Sequence, residues 1–456
     1  MVSIKSIHTV IPTEATPNAT LLLSESEQIK SHTHALTIYI YRTNHDHNHH
    51  NIIDTIKHSL GNILILYYPL AGRLRMIQGG RMEIDCNGKG VMLFEAESRK
   101  TLQDYGDFMP TTALRPLLPT VDYREPVENI PLVLVQVTRF ACGGLCVGFG
   151  VSNVVVDGIS GTVFVDAWAK LARGGTLGED EKPILDKMVI LKSEFTAPRF
   201  EHREFKPLPL IIGSSDASEE SKKETDLAIL KLTREMAEKL KKKANDDGCL
   251  EFGYEEAVTP QKHHRPYSRY ESIAAHIWRC ACKARYVDHN QPTVVLTVAG
   301  VRNRLKPPLP LNYFGNATHP TVSPTCHSGD IASKPLRYGA QKIREAIELL
   351  TDEYLRSAFE FIGSQDDVGW LRPKLNSEPP FLGNPNLNIW SWMSNMPTYG
   401  PDFGWGRPLY MGPCEVVGDG RAFIMPAPTG DGTLSVVIRL QTPHLQPFEK
   451  FFYEDI

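Results

Sequence analysis

The segment that decides the fold is a buried strand followed by a polar turn and a helix: Val151-Ser152-Asn153-Val154-Val155-Val156-Asp157-Gly158. Apolar runs precede it at 131–137 and 145–149, which predicts two buried strands joined by a short turn. Residues 162–171 then carry a helical pattern. Asn153 and Asp157 therefore stand at the mouth of a buried strand, where folds often mount chemistry. The same octapeptide also fits a strand-to-helix turn with a polar cap.

A second stretch, near the C-terminus, narrows the interpretation. It reads Pro401-Asp402-Phe403-Gly404-Trp405-Gly406-Arg407-Pro408. Together the two stretches resemble the plant BAHD acyl-CoA-dependent acyltransferases, which carry His-x-x-x-Asp-Gly in the first half and Asp-Phe-Gly-Trp-Gly in the second. Residues 402–406 match the second motif in full. The first motif departs at its most important position, because Asn153 stands where the family has histidine.

Segments similar to the family continue along the whole chain. They include Tyr68-Pro69-Leu70-Ala71-Gly72-Arg73-Leu74, the Pro-Pro-Leu-Pro run at 307–310 and Tyr313-Phe314-Gly315-Asn316. Within the family, the chain most resembles the spermidine hydroxycinnamoyl transferases. The segments that carry this finer resemblance are 200–205, 279–285, 383–387 and 452–456.

Length, composition and charge exclude several classes of protein. The chain has 456 residues, enough for two or three domains with cores of their own. Its formal net charge of −4 gives no polybasic signal for nucleic acid or membrane, and no apolar run approaches the roughly 18 residues of a membrane span. The N-terminus shows no secretory signal. Cysteines without Cys-x-x-Cys spacing predict reduced thiols in a cytoplasmic protein, and the His45–His50 run is expected to be a polar loop rather than a metal site.

The composition also divides the chain. Between 182 and 223, prolines and a Ser/Asp/Glu run break every periodic pattern, which predicts a crossover linking domains at 1–181 and 224–456. The resemblance implies an α/β fold of two chloramphenicol-acetyltransferase-like domains. Each would have a mixed sheet, and a solvent channel would run between them past Asn153. It further implies a monomer that uses acyl-CoA as a co-substrate and holds no bound cofactor and no metal.

Acyl transfer from a thioester requires a base, donors for the oxyanion and a tunnel that aligns the two substrates. In the family the motif histidine is the base. Asn153 has no nitrogen that titrates near neutral pH, so it cannot take the proton, although it can hold an acceptor by a hydrogen bond. The resemblance implies that Asp157 is structural and pairs with Arg302. It also implies that Trp392 places an indole N–H near the thioester carbonyl; the alternative is that Trp392 is a core aromatic.

The resemblance also suggests where CoA binds and which residues are architectural. CoA is expected at Ser268 and Arg269, at the start of a helix over 267–285, and at Arg302. His276, on the apolar stripe of that helix, is predicted to be a core histidine. The second motif is expected to be mainly architectural, with two glycines in a tight loop and two buried aromatic anchors: Asp402, Phe403, Gly404, Trp405 and Gly406.

Three functions remain open at this point. The first, which we favour, is hydroxycinnamoyl transfer from CoA to a polyamine such as spermidine, impaired by Asn153. The second is transfer to an alcohol such as shikimate or quinate, and the third is a non-catalytic acyl-CoA or small-molecule binding protein. Arg372 bears on this choice, because an arginine here would pair with an acceptor carboxylate and repel a polyamine. Glu378 would instead attract a polyamine.

Overall fold

The computed structural model describes residues 2–43, 50–108, 110–187, 197–246, 265–372, 382–393, 396–427 and 429–456. The strands are β1 Val2–Val10, β2 Thr20–Leu22, β3 His34–Tyr41, β4 Arg73–Met76, β5 Met82–Asp85, β6 Val91–Ser98, β7 Val133–Phe140, β8 Leu145–Ser152, β9 Thr225–Leu232, β10 Pro292–Thr293, β11 Val295–Gly300, β12 Thr318–Val322, β13 Cys326–His327, β14 Leu387–Ser391, β15 Tyr410–Pro413, β16 Arg421–Pro426 and β17 Leu434–Gln441. The helices are α1 Glu25–Gln28, α2 His50–Leu66, α3 Gly158–Ala172, α4 Ser218–Ser221, α5 Arg234–Asn245, α6 Arg269–Arg285, α7 Ser328–Ser333, α8 Leu336–Leu349, α9 Asp352–Gly363 and α10 Thr442–Glu454.

The first of two mixed six-stranded sheets has the order β1-β6-β7-β8-β3-β15. The predicted pair of buried strands is confirmed as β7 and β8, which run antiparallel with Val133 opposite Val151. Every residue of β8 is buried, which explains its unbroken apolar pattern. The predicted helix follows as α3, and Asp157 caps it by accepting a hydrogen bond from the backbone N–H of Ser160 at 2.8 Å.

The second sheet has the order β12-β11-β14-β16-β17-β9. Its central strands β11, β14 and β16 run parallel, while the flanking pairs are antiparallel. Helices α6 and α10 pack on one face and complete a core with Trp278 and Phe448. His276 lies in this core with one ring nitrogen 2.8 Å from the carbonyl oxygen of Phe452. His276 is 1% exposed, so the prediction of a core histidine is confirmed, and burial lowers its pKa to about 4.

One strand crosses between the two halves of the chain. β15, from the C-terminal half, adds to the edge of the first sheet and pairs antiparallel with β3, with Tyr410 opposite Ile40. The first sheet is therefore not built from the N-terminal half alone. The predicted domain ranges of 1–181, 182–223 and 224–456 stay a prediction. Among the described helices, none combines the length and apolar character needed to span a bilayer.

Candidate active site

A buried ion pair fixes the turn that follows β8. Arg302 donates from Nη1 to Asp157 Oδ2 at 2.5 Å and from Nη2 to Asp157 Oδ1 at 3.0 Å. The backbone N–H groups of Ser160 and Ala317 donate to the same two oxygens at 2.8 and 2.9 Å. Each carboxylate oxygen thus accepts two hydrogen bonds, and Asp157 and Arg302 are only 7% and 4% exposed. The structure brings the two predicted partners together and leaves Asp157 no capacity to bind a substrate.

Asn153 lies half-buried at the seam between the two halves of the chain. Its Nδ2 donates to Thr33 Oγ1 at 2.9 Å, and its backbone N–H donates to the Thr33 carbonyl at 2.9 Å. From the other half, Asn316 Nδ2 donates to the Asn153 carbonyl at 2.7 Å. Within the described part of the chain, Asn153 Oδ1 has no hydrogen-bond partner. That oxygen is free to accept a hydrogen bond from an N–H or O–H of a substrate. The solvent channel expected here stays a prediction.

Trp392 follows β14 and faces the same seam. Its ring is half-buried, packs edge-to-face on Phe423 at 5.7 Å between ring centres, and also contacts the core of the first half. None of the residues that the structure describes accepts a hydrogen bond from its indole N–H. The group is therefore free to donate a hydrogen bond to a substrate. Its catalytic role stays a prediction.

The motif at 402–406 is a tight loop. Asp402 Oδ1 accepts hydrogen bonds from the backbone N–H groups of Gly404 at 2.8 Å and Gly406 at 2.9 Å. Both glycines have positive φ, +96° and +88°, which other residues rarely adopt. Phe403 is buried with its ring centre 4.8 Å from that of Trp168 in α3, and Trp405 is half-buried 5.3 Å from Tyr41 in β3. The loop thus attaches the C-terminal half to the first half.

Comparison with known proteins matches this architecture. A family model described as the Transferase family covers residues 1–455. The chain belongs to this family, the BAHD acyltransferases. It is 43% identical to a hydroxycinnamoyl-CoA:piscidic acid hydroxycinnamoyltransferase of Actaea racemosa, with both chains covered in full. It is 37% identical to a shikimate O-hydroxycinnamoyltransferase of Nicotiana tabacum, with 99% of both chains covered.

The fold is also that of a solved acyltransferase complex. The F. sporotrichioides TRI101 crystal structure with coenzyme A and T-2 superposes with a TM-score of 0.76 at 16% identity, over 94% of this chain and 97% of that one. The predicted fold, two sheet-rich α/β units of the BAHD type, is confirmed. The family and its relatives establish an acyl-CoA-dependent hydroxycinnamoyltransferase class, with acyl-CoA as the co-substrate.

The three residues predicted to bind CoA differ in their exposure and in their hydrogen-bond partners. Ser268 caps α6, and its hydroxyl accepts a hydrogen bond from Glu271 N at 3.2 Å. Arg269 is exposed and pairs with Glu238 at 3.0 Å. Arg302 was assigned both to CoA and to Asp157, and the geometry favours Asp157, because the guanidinium is enclosed with that carboxylate. The binding of CoA by Ser268, Arg269 and Arg302 stays a prediction.

The acceptor residues predicted for this BAHD site are Arg372 and Glu378. Arg372 is buried and donates to the backbone carbonyl of Gln28 and, at 3.2 Å, to its side-chain oxygen. Burial lowers the pKa of Arg372 to about 10, so it stays charged at neutral pH. Burial and the nearby charge of Arg372 lower the pKa of His32 to about 4. Arg372 is thus within electrostatic reach of His32, next to Thr33 at the site. Glu378 lies outside the described residues.

Three residues of this site were given no role by sequence reasoning. Thr33 and Asn316 hold Asn153 from opposite halves, and Lys30 donates to the Thr318 carbonyl at 2.6 Å and the Thr318 hydroxyl at 3.1 Å. Burial lowers the pKa of Lys30 to about 8, although Asp157 and Glu27 oppose the shift. A signal existed only for Asn316, which ends a segment similar to the family.

The structure was also searched for metal ligands. Within the described ranges, no group of three His, Cys, Asp or Glu side chains could hold a metal ion. Most of the His45–His50 run lies outside those ranges, so its interpretation as a polar loop stays a prediction.

Proposed function

We propose that this chain transfers a hydroxycinnamoyl group from CoA to a small acceptor that carries a carboxylate. The observation that supports the acceptor class is the buried charge of Arg372. It lies within electrostatic reach of His32, which precedes Thr33, and Thr33 accepts a hydrogen bond from Asn153. A buried guanidinium attracts a carboxylate and repels a cation. The relatives named for piscidic acid and shikimate act on acids, which is consistent with this choice.

The proposed reaction uses the two polar groups that have no described partner, Asn153 Oδ1 and the Trp392 indole N–H. The acceptor's N–H or O–H donates to Asn153 Oδ1, which aligns its lone pair with the thioester carbonyl carbon. Attack forms the new C–N or C–O bond and a tetrahedral oxyanion, to which the Trp392 indole N–H donates. Collapse breaks the C–S bond and releases CoA, and the proton lost by the acceptor passes to the departing thiolate or to water. Without a histidine, the general-base contribution of roughly 10²–10⁴ in rate is missing.

The polyamine acceptor predicted from the sequence is the second candidate. It is supported by the segments that resemble spermidine hydroxycinnamoyl transferases, and Arg372 opposes it. A non-catalytic binding protein is the third candidate, because loss of the base does not prevent acyl-CoA from binding. A monomer in the cytoplasm likewise stays a proposal.

The test is a calorimetric titration with p-coumaroyl-CoA, shikimate, piscidic acid and spermidine, followed by assays of CoA release. We expect p-coumaroyl-CoA and at least one acid to bind. Arg372→Gln should weaken acid binding about tenfold or more, since a hydrogen bond to a charged group is lost. Arg139→Gln, which removes an exposed charge on β7, is the matched control and should change it little. Binding of spermidine but of neither acid would overturn the proposal in favour of a polyamine.

A further inference from the structure

The second sheet has one face under helices and one face turned away from them. Alternation along β14 places Leu387 and Ile389 in the core beneath α6 and α10. Asn388, Trp390 and Trp392 consequently belong to the opposite side, and both tryptophans pack there with Phe423. We call this side the β14 outer face. It carries Trp392 at the end that meets the candidate active site.

Two polar atoms on the β14 outer face are buried without partners. Asn388 is only 6% exposed, and its Oδ1 accepts no hydrogen bond within the described part of the chain. Trp390 Nε1 is buried too, and no described residue accepts from it. An unmade buried hydrogen bond costs about 1–3 kcal/mol, so two on one strand face need a reason. A ligand with both a donor and an acceptor would supply it.

A cation without a counter-ion lies beside them. Arg421 is in register with Asn388 on the neighbouring strand, and its guanidinium lies 6.0 Å from the centre of the Trp390 ring. Among the residues described, none bonds to the Arg421 side chain and no carboxylate lies within 4.0 Å. Burial alone lowers the pKa of Arg421.

Arg439, on the strand next to Arg421, adds a second positive charge. Arg439 is directly opposite Arg421 across β16 and β17. Arg439 bonds to carbonyl oxygens, donating to Val416 O at 2.5 Å and Thr225 O at 3.1 Å, so neither arginine is neutralised by a described carboxylate. Like charges directly opposite each other destabilise a sheet. A bound anion would remove that cost.

We propose that Arg421, Trp390 and Asn388 form a second anion subsite, which takes a carboxylate of the acceptor. Arg421 and Trp390 donate to the carboxylate, and Asn388 Oδ1 accepts from a hydroxyl next to it. Arg372, which donates to Gln28 of the first half, would bind the other carboxylate, so that the acceptor is a hydroxylated acid with two carboxylates. This inference rests on the proposed function and names the acceptor class more closely.

An oxyanion at this place could come from the acceptor or from a CoA phosphate. The acceptor fits better, because the subsite lies on the side of the second sheet opposite α6, whose start is the predicted CoA site. Trp390 is two residues before Trp392, about 7 Å along the strand. Asn388, in register with Arg421, is four residues before Trp392, about 13 Å along the strand, so an acceptor bound there would extend along the β14 outer face toward Trp392.

The test compares piscidic acid with its dimethyl ester by calorimetry on the full chain. In Arg421→Gln we expect binding of the acid to weaken about tenfold or more, and binding of the ester to change less than about twofold. Trp390→Phe keeps the ring and loses the N–H, so it should weaken the acid about threefold to tenfold. Arg139→Gln is again the control for non-specific charge.

Additional arms separate the possible sources of the anion. If Arg372 and Arg421 bind different carboxylates, the losses in the double variant should add, whereas a shared carboxylate gives losses that do not add. Weaker binding of p-coumaroyl-CoA but not of its 3′-dephospho form in Arg421→Gln would assign the subsite to CoA and overturn the inference. Equal losses for acid and ester would also overturn it.

Failure of the wild-type chain to bind either acid would overturn the proposed function itself. Should Arg421→Gln not fold, Arg421→Lys and Trp390→Phe carry the same comparison.

Discussion

Asp157 and Asn153 lie four residues apart on one turn, yet their surroundings differ completely. Both oxygens of Asp157 are fully used, by Arg302 and by two backbone N–H groups, and the side chain is buried. Asn153 is half-buried, and its Oδ1 has no partner in the described chain. The turn is therefore held in shape by position 157 and offers a free group at position 153. The support of a turn and the residue that the turn presents can therefore vary independently.

The largest effect is expected at Asn153, whose Oδ1 has no partner in the described chain. Asn153→His would restore an imidazole, and for an alcohol acceptor kcat should rise by roughly 10²–10⁴. The free energy of unfolding should change little, because only the bond to Thr33 is affected. Turnover assays with p-coumaroyl-CoA and shikimate measure the gain. Equal rates in both chains would mean that the rate does not depend on a base at position 153.

The next largest effect is expected at Asp157, whose oxygens are both fully hydrogen-bonded. Asp157→Ala would leave the Arg302 charge buried without its partner, which should cost about 3–5 kcal/mol of unfolding free energy. Asn153→Ala is the matched substitution on the same turn and should cost only about 1 kcal/mol, for one lost hydrogen bond. Urea unfolding of both variants measures the contrast. Similar losses would show that the two positions share the support of the turn.

A third test addresses the other open group. Trp392→Phe keeps a ring against Phe423 and removes the N–H, so kcat should fall by about 10²–10³ if the indole stabilises the oxyanion. The loss is best measured by comparing Asn153→His with the Asn153→His/Trp392→Phe double variant, because a decrease in kcat is easier to detect from the higher rate. A change in melting temperature without a change in kcat would instead identify Trp392 as a core aromatic.

The smallest effect concerns Lys30, which donates to Thr318 and lies within electrostatic reach of Asp157. Its pKa is lowered by burial from an unfolded value near 10.4 to about 8, so between these values the unfolded chain binds more protons. The stability of the wild-type chain relative to Lys30→Met should therefore rise with pH from about 8 to about 10, and stay flat below 8. Urea unfolding at pH 7, 8, 9 and 10 checks this. A flat difference throughout would show that Lys30 is solvated.

The sequence was sufficient for features with local patterns and insufficient for those made by distant contacts. Apolar runs and a polar cap predicted β7, β8 and α3, and the motif at 402–406 identified the family. Thr33 and Arg421 have no such signal, because their importance depends on which strand or turn lies opposite. Arg302 was given two roles from the resemblance; its pairing with Asp157 is present in the structure, and its role in binding CoA stays a prediction.

The exchanged strand β15 has a consequence for synthesis on the ribosome. Until residue 413 of 456 has emerged, β3 is an open edge that exposes the unpaired backbone of Ile38 and Ile40, two fully buried residues of the finished protein. An exposed apolar edge invites pairing with other chains. The first sheet therefore stays without its edge strand β15 until nearly the whole chain has been synthesised. A gene fragment that stops in the predicted crossover at 182–223 should yield aggregates, and co-expression of a segment containing 401–413 should reduce them.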